Sequence, residues 1–128
     1  AIFASSTSSL LISDITKFSQ KSQRCVSAHP FNPPHLIPLV EITIPEGEKG
    51  SSKIAELAAK FYEKIDKVPI ILKKDVSGFV ANQIQRVVGT LCGELLTEGI
   101  CTVEDIEKAM SFGPGLRWAT MGPYLVYQ

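Results

Sequence analysis

The chain has 128 residues, with 13 basic and 13 acidic side chains and a formal net charge of zero. One ordinary domain has this length, and the balanced charge offers no basic surface of the kind that binds nucleic acid or anionic membranes. The longest apolar runs are far shorter than the roughly 20 residues of a membrane span. Three scattered cysteines form no metal-ligand spacing and are typical of a reducing compartment. We therefore expect a cytoplasmic globular protein without a metal, nucleic-acid or membrane partner.

Strands and helices alternate in the first part of the chain. Strands are predicted at residues 1–5, 24–29, 38–44 and 68–72. The last of these is wholly apolar, which is typical of a covered sheet. Two amphipathic helices are predicted, one at residues 10–18 and one that Ser51 or Ser52 caps, after a polar loop at 45–50. Their apolar faces consist of Leu10, Leu11, Ile15 and Phe18 in the first, and Ile54, Leu57, Ala58, Phe61 and Ile65 in the second.

The second part of the chain contains only predicted helices. A long helix covers residues 78–96 and ends at Gly99. Thr102 is the predicted N-cap of the next helix, because an acidic first turn follows it. The predicted buried side of that helix consists of Ile106, Ala109, Met110 and Phe112. The Gly-Pro-Gly sequence at 113–115 breaks it, and a further helix begins around Tyr124.

The pattern therefore predicts an α/β part followed by an all-α part, with a boundary near residue 74. The chain has no initiator methionine, and its first residues already form a predicted strand. We expect it to be a fragment of a longer protein.

A proline-rich loop between two predicted strands contains both histidines of the chain. His29 ends one strand and Glu41 lies in the next, and four prolines stiffen residues 27–41. Histidine can exchange a proton near neutral pH, and a carboxylate on its second nitrogen fixes the tautomer and stabilises the imidazolium. The pair therefore predicts general acid/base chemistry; a capping histidine and a surface glutamate are the alternative. His35 has no identifiable partner and is interpreted as a loop residue.

Three further positions carry polar groups with both a chemical and a structural interpretation. The hydroxyl cluster at residues 5–9 follows a strand, where ligands bind in open α/β sheets, but it could also be a helix cap. Asn82 can donate and accept hydrogen bonds at the start of the long helix, or it is simply solvated. Arg117 can hold a carboxylate bidentately, or it stacks on Trp118 at the surface. The chain contains neither a G-x-G-x-x-G sequence nor a P-loop.

Five segments, in their order and spacing, resemble the L-3-hydroxyacyl-CoA dehydrogenase family. They are Ala-Ser-Ser-Thr-Ser-Ser-Leu at 4–10, His-Pro-Phe-Asn-Pro at 29–33, Leu-Val-Glu at 39–41, Asp-Val-Ser-Gly-Phe-Val-Ala-Asn at 75–82 and Met-Gly-Pro at 121–123. The resemblance covers essentially the whole chain and implies an NAD enzyme. Residues 1–74 would be the C-terminal part of a Rossmann-type NAD-binding domain. Residues 75–128 would be the first helices of a 6-phosphogluconate-dehydrogenase-like helical domain that binds substrate and forms a homodimer.

The same resemblance implies roles for individual residues. His29 would be the general acid/base and Glu41 its orienting partner. Ser8 and Asn82 would hydrogen-bond the reacting oxygen and the catalytic histidine. Ser6 would lie beside the nicotinamide ribose, although the fatty-acid branch of the family usually has asparagine there.

A Gly-Leu-Arg-Trp-Ala sequence at residues 115–119 precedes Met-Gly-Pro in this chain. It is similar to the lambda-crystallin/L-gulonate 3-dehydrogenase and carnitine dehydrogenase branches, whose substrates are small 3-hydroxy acids. Arg117 would then bind the substrate carboxylate through a buried guanidinium. The reaction implied is hydride transfer between C3 of a 3-hydroxy acid, or a 3-hydroxyacyl-CoA, and NAD.

Two alternatives belong to other functional classes. One is a catalytically silent, crystallin-like structural protein on the same scaffold. The other is an inactive fragment that acts as an assembly module. The resemblance implies that the glycine-rich half of the cofactor domain precedes residue 1, so that an isolated fragment would not turn over. Such a fragment would have an unpaired sheet edge and a helical face without its partner, and both are prone to self-association.

Overall fold

The computed structural model describes residues 1–47 and 51–127, which form two units, Ala1–Ile84 and Gln85–Gln128. The first unit contains the four predicted strands, β1 (Phe3–Ser5), β2 (Cys25–Pro30), β3 (Leu39–Thr43) and β4 (Val68–Ile71). They form one mixed sheet in the order β1-β2-β3-β4. The central pair, β2 and β3, is antiparallel because a short loop reverses the chain, whereas β1 is parallel to β2 and β4 is parallel to β3.

The two central strands have one apolar and one polar face, and both faces are buried. Successive side chains of a strand point to opposite sides of the sheet. On one side, alternate apolar residues of β2 and β3 pack against alanines of helix α2 (Ser51–Glu63), and the set is Val26, Ala28, Val40, Ile42, Ala55, Ala58 and Ala59. On the other side lie the buried polar residues Ser27, His29, Glu41 and Thr43. This alternation places a polar cluster inside the first unit.

The first helix is shorter than predicted, and its buried side chain is a different one. Helix α1 covers Ile12–Ile15 and ends because Thr16 leaves the helical conformation, with φ −98° and ψ 4°. Ile12 is buried, whereas Leu10 and Phe18 of the predicted apolar face are exposed. The hydroxyl cluster forms a turn, in which Thr7 Oγ1 accepts a hydrogen bond from the Leu10 amide at 3.1 Å, and it does not cap α1.

The predicted apolar face of α2 is also partly wrong. Its alanines contact the sheet, while Leu57, Phe61 and Ile65 are about half exposed, because small side chains allow the helix to approach the strands closely. Residues 48–50 of the predicted polar loop and the side chain of Ser51 lie outside the described part of the chain. Strand β4 is not covered as predicted, since it is an edge strand with half-exposed side chains.

Helix α3 (Ala81–Thr97) starts later than predicted because residues 78 and 79 have left-handed backbone conformations. Its end confirms the prediction. Gly99 has φ +69°, its amide bonds to the Leu96 carbonyl, and the Ile100 amide bonds to the Leu95 carbonyl. This is the double hydrogen bond that ends many helices at a glycine.

The second unit continues with α4 (Val103–Phe112) and α5 (Pro114–Thr120). Thr102 caps α4 as predicted, and it exchanges hydrogen bonds with Asp105 in a capping box. The predicted buried side of α4 is wrong in two places: Ala109 and Phe112 are exposed, and only Ile106 and Met110 are half-buried.

Helix α5 was not predicted. The predicted break at 113–115 occupies only Gly113, because Pro114 is well suited to the first turn of a new helix. The helix predicted around Tyr124 is one 3-10 turn, Leu125–Tyr127, and Gln128 lies outside the described residues. No helix within residues 1–47 and 51–127 is long and apolar enough to cross a membrane. The domain boundary near residue 74 stays a prediction.

Candidate active site

The register of β2 and β3 places His29 directly opposite Glu41. The imidazole Nδ1 and the carboxylate Oε2 are 3.1 Å apart, and the two residues are 4% and 0% exposed. An ionised carboxylate only accepts hydrogen bonds, so Nδ1 carries the proton in this contact. In the neutral imidazole, Nε2 then has a free lone pair and can accept a proton. The structure therefore brings together the two residues that the loop predicted to be close.

Nε2 of His29 faces the exposed end of the site. It lies 3.1 Å from Oγ of Ser8, whose residue is exposed in the segment that follows β1. The imidazole therefore joins a buried carboxylate on one side to an accessible hydroxyl group on the other. Such an arrangement can pass a proton between an entering ligand and the histidine.

The second oxygen of Glu41 is held by the first turn of α3. Oε1 accepts hydrogen bonds from the backbone amides of Val80 at 2.9 Å and Ala81 at 3.1 Å. Free amides at a helix N-terminus favour a negative charge. Because a buried carboxylate is costly without partners, these two bonds and the bond from His29 explain how Glu41 is accommodated with no exposed surface.

An aromatic ring covers one face of the histidine. Phe79 is 2% exposed and stacks on His29, with ring centroids 4.5 Å apart and planes inclined by 11°. Its backbone has φ +48°, which is rare for a bulky residue, and it follows Gly78 with φ +75°. Phe79 was not predicted as a site residue, although it lies within the 75–82 segment that carried the family resemblance. Gly78, directly before it, is the sequence feature that indicates an unusual backbone conformation at this point.

The buried carboxylate of Asp75 was also not predicted as part of the site. Asp75 is 8% exposed and accepts hydrogen bonds from the amide and the hydroxyl of Ser13 and from the hydroxyl of Thr43. Its partners lie on α1 and β3, so Asp75 ties the connection before α3 to both elements. An aspartate that follows two lysines gives no sequence signal of burial.

The other predicted site residues are less closely connected. Asn82 is half-buried in the first turn of α3, and within the described residues its side chain bonds neither Ser8 nor His29. Ser6 is exposed after β1. Arg117 is exposed on α5 of the second unit, contrary to the expected burial, and in residues 1–47 and 51–127 it has no ion pair and no ring stack.

The segment after β1 fits one end of a nicotinamide dinucleotide. Ser6 and Ser8 present exposed hydroxyl groups at the carboxyl end of a parallel strand, and Ser8 contacts Nε2 of His29. Hydroxyl groups can donate to and accept from a ribose and a carboxamide. No group of three potential metal ligands occurs among the residues that the structure describes.

Two models of one protein family match the chain. Residues 1–76 match the 3-hydroxyacyl-CoA dehydrogenase, NAD binding domain, and residues 78–128 match the 3-hydroxyacyl-CoA dehydrogenase, C-terminal domain. A 3-hydroxyacyl-CoA dehydrogenase of Gibberella moniliformis is 44% identical over 95% of this chain and 38% of its own length. An L-carnitine dehydrogenase of Oceanobacillus iheyensis is 38% identical over 98% of this chain and 40% of its own length. The chain thus spans about 40% of these curated relatives.

Solved structures share the fold. An NAD+-dependent dismutase, FHMPC 5-dehydrogenase, has a TM-score of 0.89 at 31% identity and covers 96% of this chain and 39% of its own. A 3-hydroxyacyl-CoA dehydrogenase of Archaeoglobus fulgidus has a TM-score of 0.83 at 26% identity, over 97% and 42% of the two chains. These matches confirm the predicted combination of a Rossmann-type NAD-binding part and a helical part. The chain belongs to the 3-hydroxyacyl-CoA dehydrogenase family.

Proposed function

We propose that the protein is an NAD-dependent oxidoreductase that transfers a hydride between C3 of a 3-hydroxy acid, or its CoA ester, and NAD. The observation that carries this proposal is the buried His29–Glu41 pair, whose second imidazole nitrogen, Nε2, lies 3.1 Å from the accessible Ser8 hydroxyl group. Oxidation of a secondary alcohol needs a base for the hydroxyl proton, and this pair supplies one. The family membership of the chain supports the choice of substrate class and cofactor.

His29 is the general acid/base in this proposal. Nε2 takes the proton of the C3 hydroxyl group during oxidation and returns it to the carbonyl oxygen during reduction. NAD, when bound, accepts or donates the hydride. As positive charge develops on the imidazole, Oε2 of Glu41 stabilises it at 3.1 Å, in a buried environment where electrostatic interactions are stronger than in water.

Glu41 acts as the orienting partner. The amides of Val80 and Ala81 hold its other oxygen, so the carboxylate is already in place before the charge on His29 develops. A preorganised acceptor needs no reorganisation during the reaction, which is the main source of electrostatic catalysis.

Ser8, Ser6 and Asn82 bind the reactants. Ser8 holds the reacting oxygen close to Nε2, because its own hydroxyl group already lies at hydrogen-bond distance from that nitrogen. Asn82 supplies an amide from the first turn of α3, and the exposed Ser6 hydroxyl group would hold the nicotinamide ribose. These assignments rest on the positions of the three residues and on the family resemblance.

Arg117 binds a free carboxylate of the substrate. The curated relatives include both a 3-hydroxyacyl-CoA dehydrogenase and L-carnitine dehydrogenases. Carnitine carries a carboxylate that a thioester lacks, and a guanidinium matches a carboxylate with two parallel hydrogen bonds. Arg117 is exposed and has no ion-pair partner in the described residues, so its charge is available to an anion.

The test measures NAD reduction by the complete protein through the absorbance of NADH. The two substrates are a free 3-hydroxy acid such as L-carnitine and a 3-hydroxyacyl-CoA. We expect turnover with one of these substrate classes and none with alcohols that lack the 3-hydroxy acyl group. No turnover with either class would contradict the proposal. A homodimer formed through the C-terminal helices and a cytoplasmic location remain predictions.

A further inference from the structure

We propose that Asp75 is a positioning residue of this site, which aligns both hydrogen-bond partners of His29 through the segment at 75–81. This inference rests on the proposed function for its kinetic consequence, but its structural consequence can be measured without substrate. Within the described residues the hydrogen bonds of Asp75 go to Ser13 and Thr43 and not to His29, so we expect its effect on the histidine to pass through the residues between them.

Asp75 anchors one end of the segment. Its Oδ2 accepts from the Ser13 amide at 2.9 Å and from the Ser13 hydroxyl at 2.8 Å, and its Oδ1 accepts from Thr43 Oγ1 at 2.9 Å. Thr43 lies on β3, on the same face as Glu41 and two residues beyond it. Three donors on two elements therefore fix a carboxylate that is 8% exposed.

The remainder of the segment contacts both residues of the histidine pair and the neighbour of Ser8. Ser77 Oγ donates to the Ser9 carbonyl at 2.9 Å and so fixes the residue next to Ser8. Phe79 stacks on the imidazole, and the amides of Val80 and Ala81 bond to Glu41. The segment thus contacts the ring of His29 directly, binds its Nδ1 partner Glu41, and holds the residue next to its Nε2 partner Ser8.

The backbone of the segment explains why an anchor is needed. Gly78 and Phe79 have φ values of +75° and +48°, and a left-handed conformation at a bulky residue persists only where surrounding contacts impose it. Without the bonds of Asp75, this corner can relax, which moves the two amides away from Glu41 and the Phe79 ring away from His29. The carboxylate then no longer holds the proton on Nδ1 in one position.

The test uses NMR of the complete protein labelled with 15N-histidine. We expect wild-type His29 to show one fixed neutral tautomer, protonated at Nδ1, and Asp75→Asn to show a mixture in which the separation of the two nitrogen signals is smaller. His35 is exposed and serves as the internal reference, and single substitutions of each histidine assign the signals. A role limited to global stability would lower the unfolding temperature but leave the tautomer unchanged.

In steady-state kinetics, we expect Asp75→Asn to lower kcat by about 10-fold to 100-fold with little change in KM. Misalignment of His29 affects the chemical step and not substrate binding. The control is Asp66→Asn, which makes the same chemical change at an exposed residue. If Asp75→Asn does not fold, Thr43→Val replaces it, since it removes one donor to Asp75 and keeps the side-chain shape. A smaller shift in the same direction is expected.

His29 nitrogen signals identical to those of the wild type in both Asp75→Asn and Thr43→Val would overturn the inference, and so would unchanged signals in the only variant that folds. This outcome is distinct from failure of the proposed function. A wild-type protein without dehydrogenase activity would contradict the function, while the nitrogen signals would still decide whether Asp75 aligns the pair.

Discussion

His29 and Glu41 are paired residues in the antiparallel register of β2 and β3, and a 3.1 Å contact joins Nδ1 to Oε2. Two donors from the start of α3 bind the same carboxylate from the opposite side. One acidic side chain therefore links the sheet, the histidine and the first turn of α3.

Glu41→Gln keeps the shape of the side chain and removes its charge. The amide group must either present its nitrogen to the donors of α3 or lose the bond to His29, so we expect kcat to fall by about 10²-fold to 10⁴-fold. The free energy of unfolding should fall by about 1 to 3 kcal/mol, because a buried donor loses its partner. Steady-state kinetics and urea unfolding measure the two effects. Glu56→Gln is the control at an exposed position on α2, and equal behaviour of the two variants would contradict the role of Glu41.

Phe79→Ala removes the ring that stacks on His29. Because Phe79 is 2% exposed, its truncation to alanine should lower the free energy of unfolding by about 3 to 5 kcal/mol, as for other large buried side chains. Phe61→Ala, at a residue that is 58% exposed, should change the free energy of unfolding by only about 0.5 kcal/mol. Proton NMR adds a direct check, since the stacked ring shields the ring protons of His29. Unchanged chemical shifts of these protons in Phe79→Ala would contradict the stacking.

Arg117→Lys keeps the positive charge but loses the bidentate geometry. If Arg117 binds the substrate carboxylate, kcat/KM for a free 3-hydroxy acid should fall by about 10-fold or more, because a charged hydrogen bond is worth about 1.5 to 3 kcal/mol. The kcat/KM for a CoA ester should not change. Arg24→Lys is the matched control on an exposed arginine of the first unit. An unchanged kcat/KM for the free acid in Arg117→Lys would rule out this role.

The cap of α4 makes a pH-dependent prediction. Hydrogen bonds from the side chain and then the backbone amide of Thr102 lower the pKa of Asp105 from its usual value of 3.8. Since the pKa of Asp105 is lower in the folded state, the ionised carboxylate stabilises α4 at any pH above the usual value of 3.8. This stabilisation is lost as the pH falls through the pKa of the folded state.

Urea unfolding of the wild type and Asp105→Asn measures this effect. The two proteins should differ in their urea midpoint of unfolding at pH 7, and this difference should become smaller as the pH is lowered. The matched control is Asp66→Asn, at another exposed aspartate. A difference that does not depend on pH would contradict an ionic contribution of Asp105.

The sequence predicted that His29 and Glu41 lie close together, but it predicted neither the order of the strands nor the ring that covers the histidine. Alternation along β2 and β3, with Val26 and Ala28 apolar and Ser27 and His29 polar, is visible in the sequence, and the stiff loop predicts that Glu41 returns to His29. Phe79 could not be placed, because its left-handed backbone is set by tertiary contacts and not by local preference. Asp75 bonds Ser13 across 62 positions of the chain, a separation that no periodicity records.

The helices illustrate the same limit. Thr102 and Gly99 were predicted because caps depend on residues that are neighbours in sequence. The buried faces of α1 and α2 were partly wrong because burial depends on which helix face approaches the sheet. Ile12 and the alanines of α2 are the residues in contact, whereas larger side chains such as Phe18 remain exposed.

The kcat of His29→Gln in the complete protein, compared with that of His35→Gln, shows whether His29 is the general acid/base. Both variants remove an imidazole, but His29 lies in β2 and is buried against Glu41, whereas His35 is exposed in the loop that follows β2. If His29 is the general acid/base, kcat of His29→Gln should fall by about 10²-fold to 10⁴-fold, while His35→Gln keeps wild-type turnover. A His29→Gln variant that turns over at the wild-type rate would exclude His29 as the general acid/base.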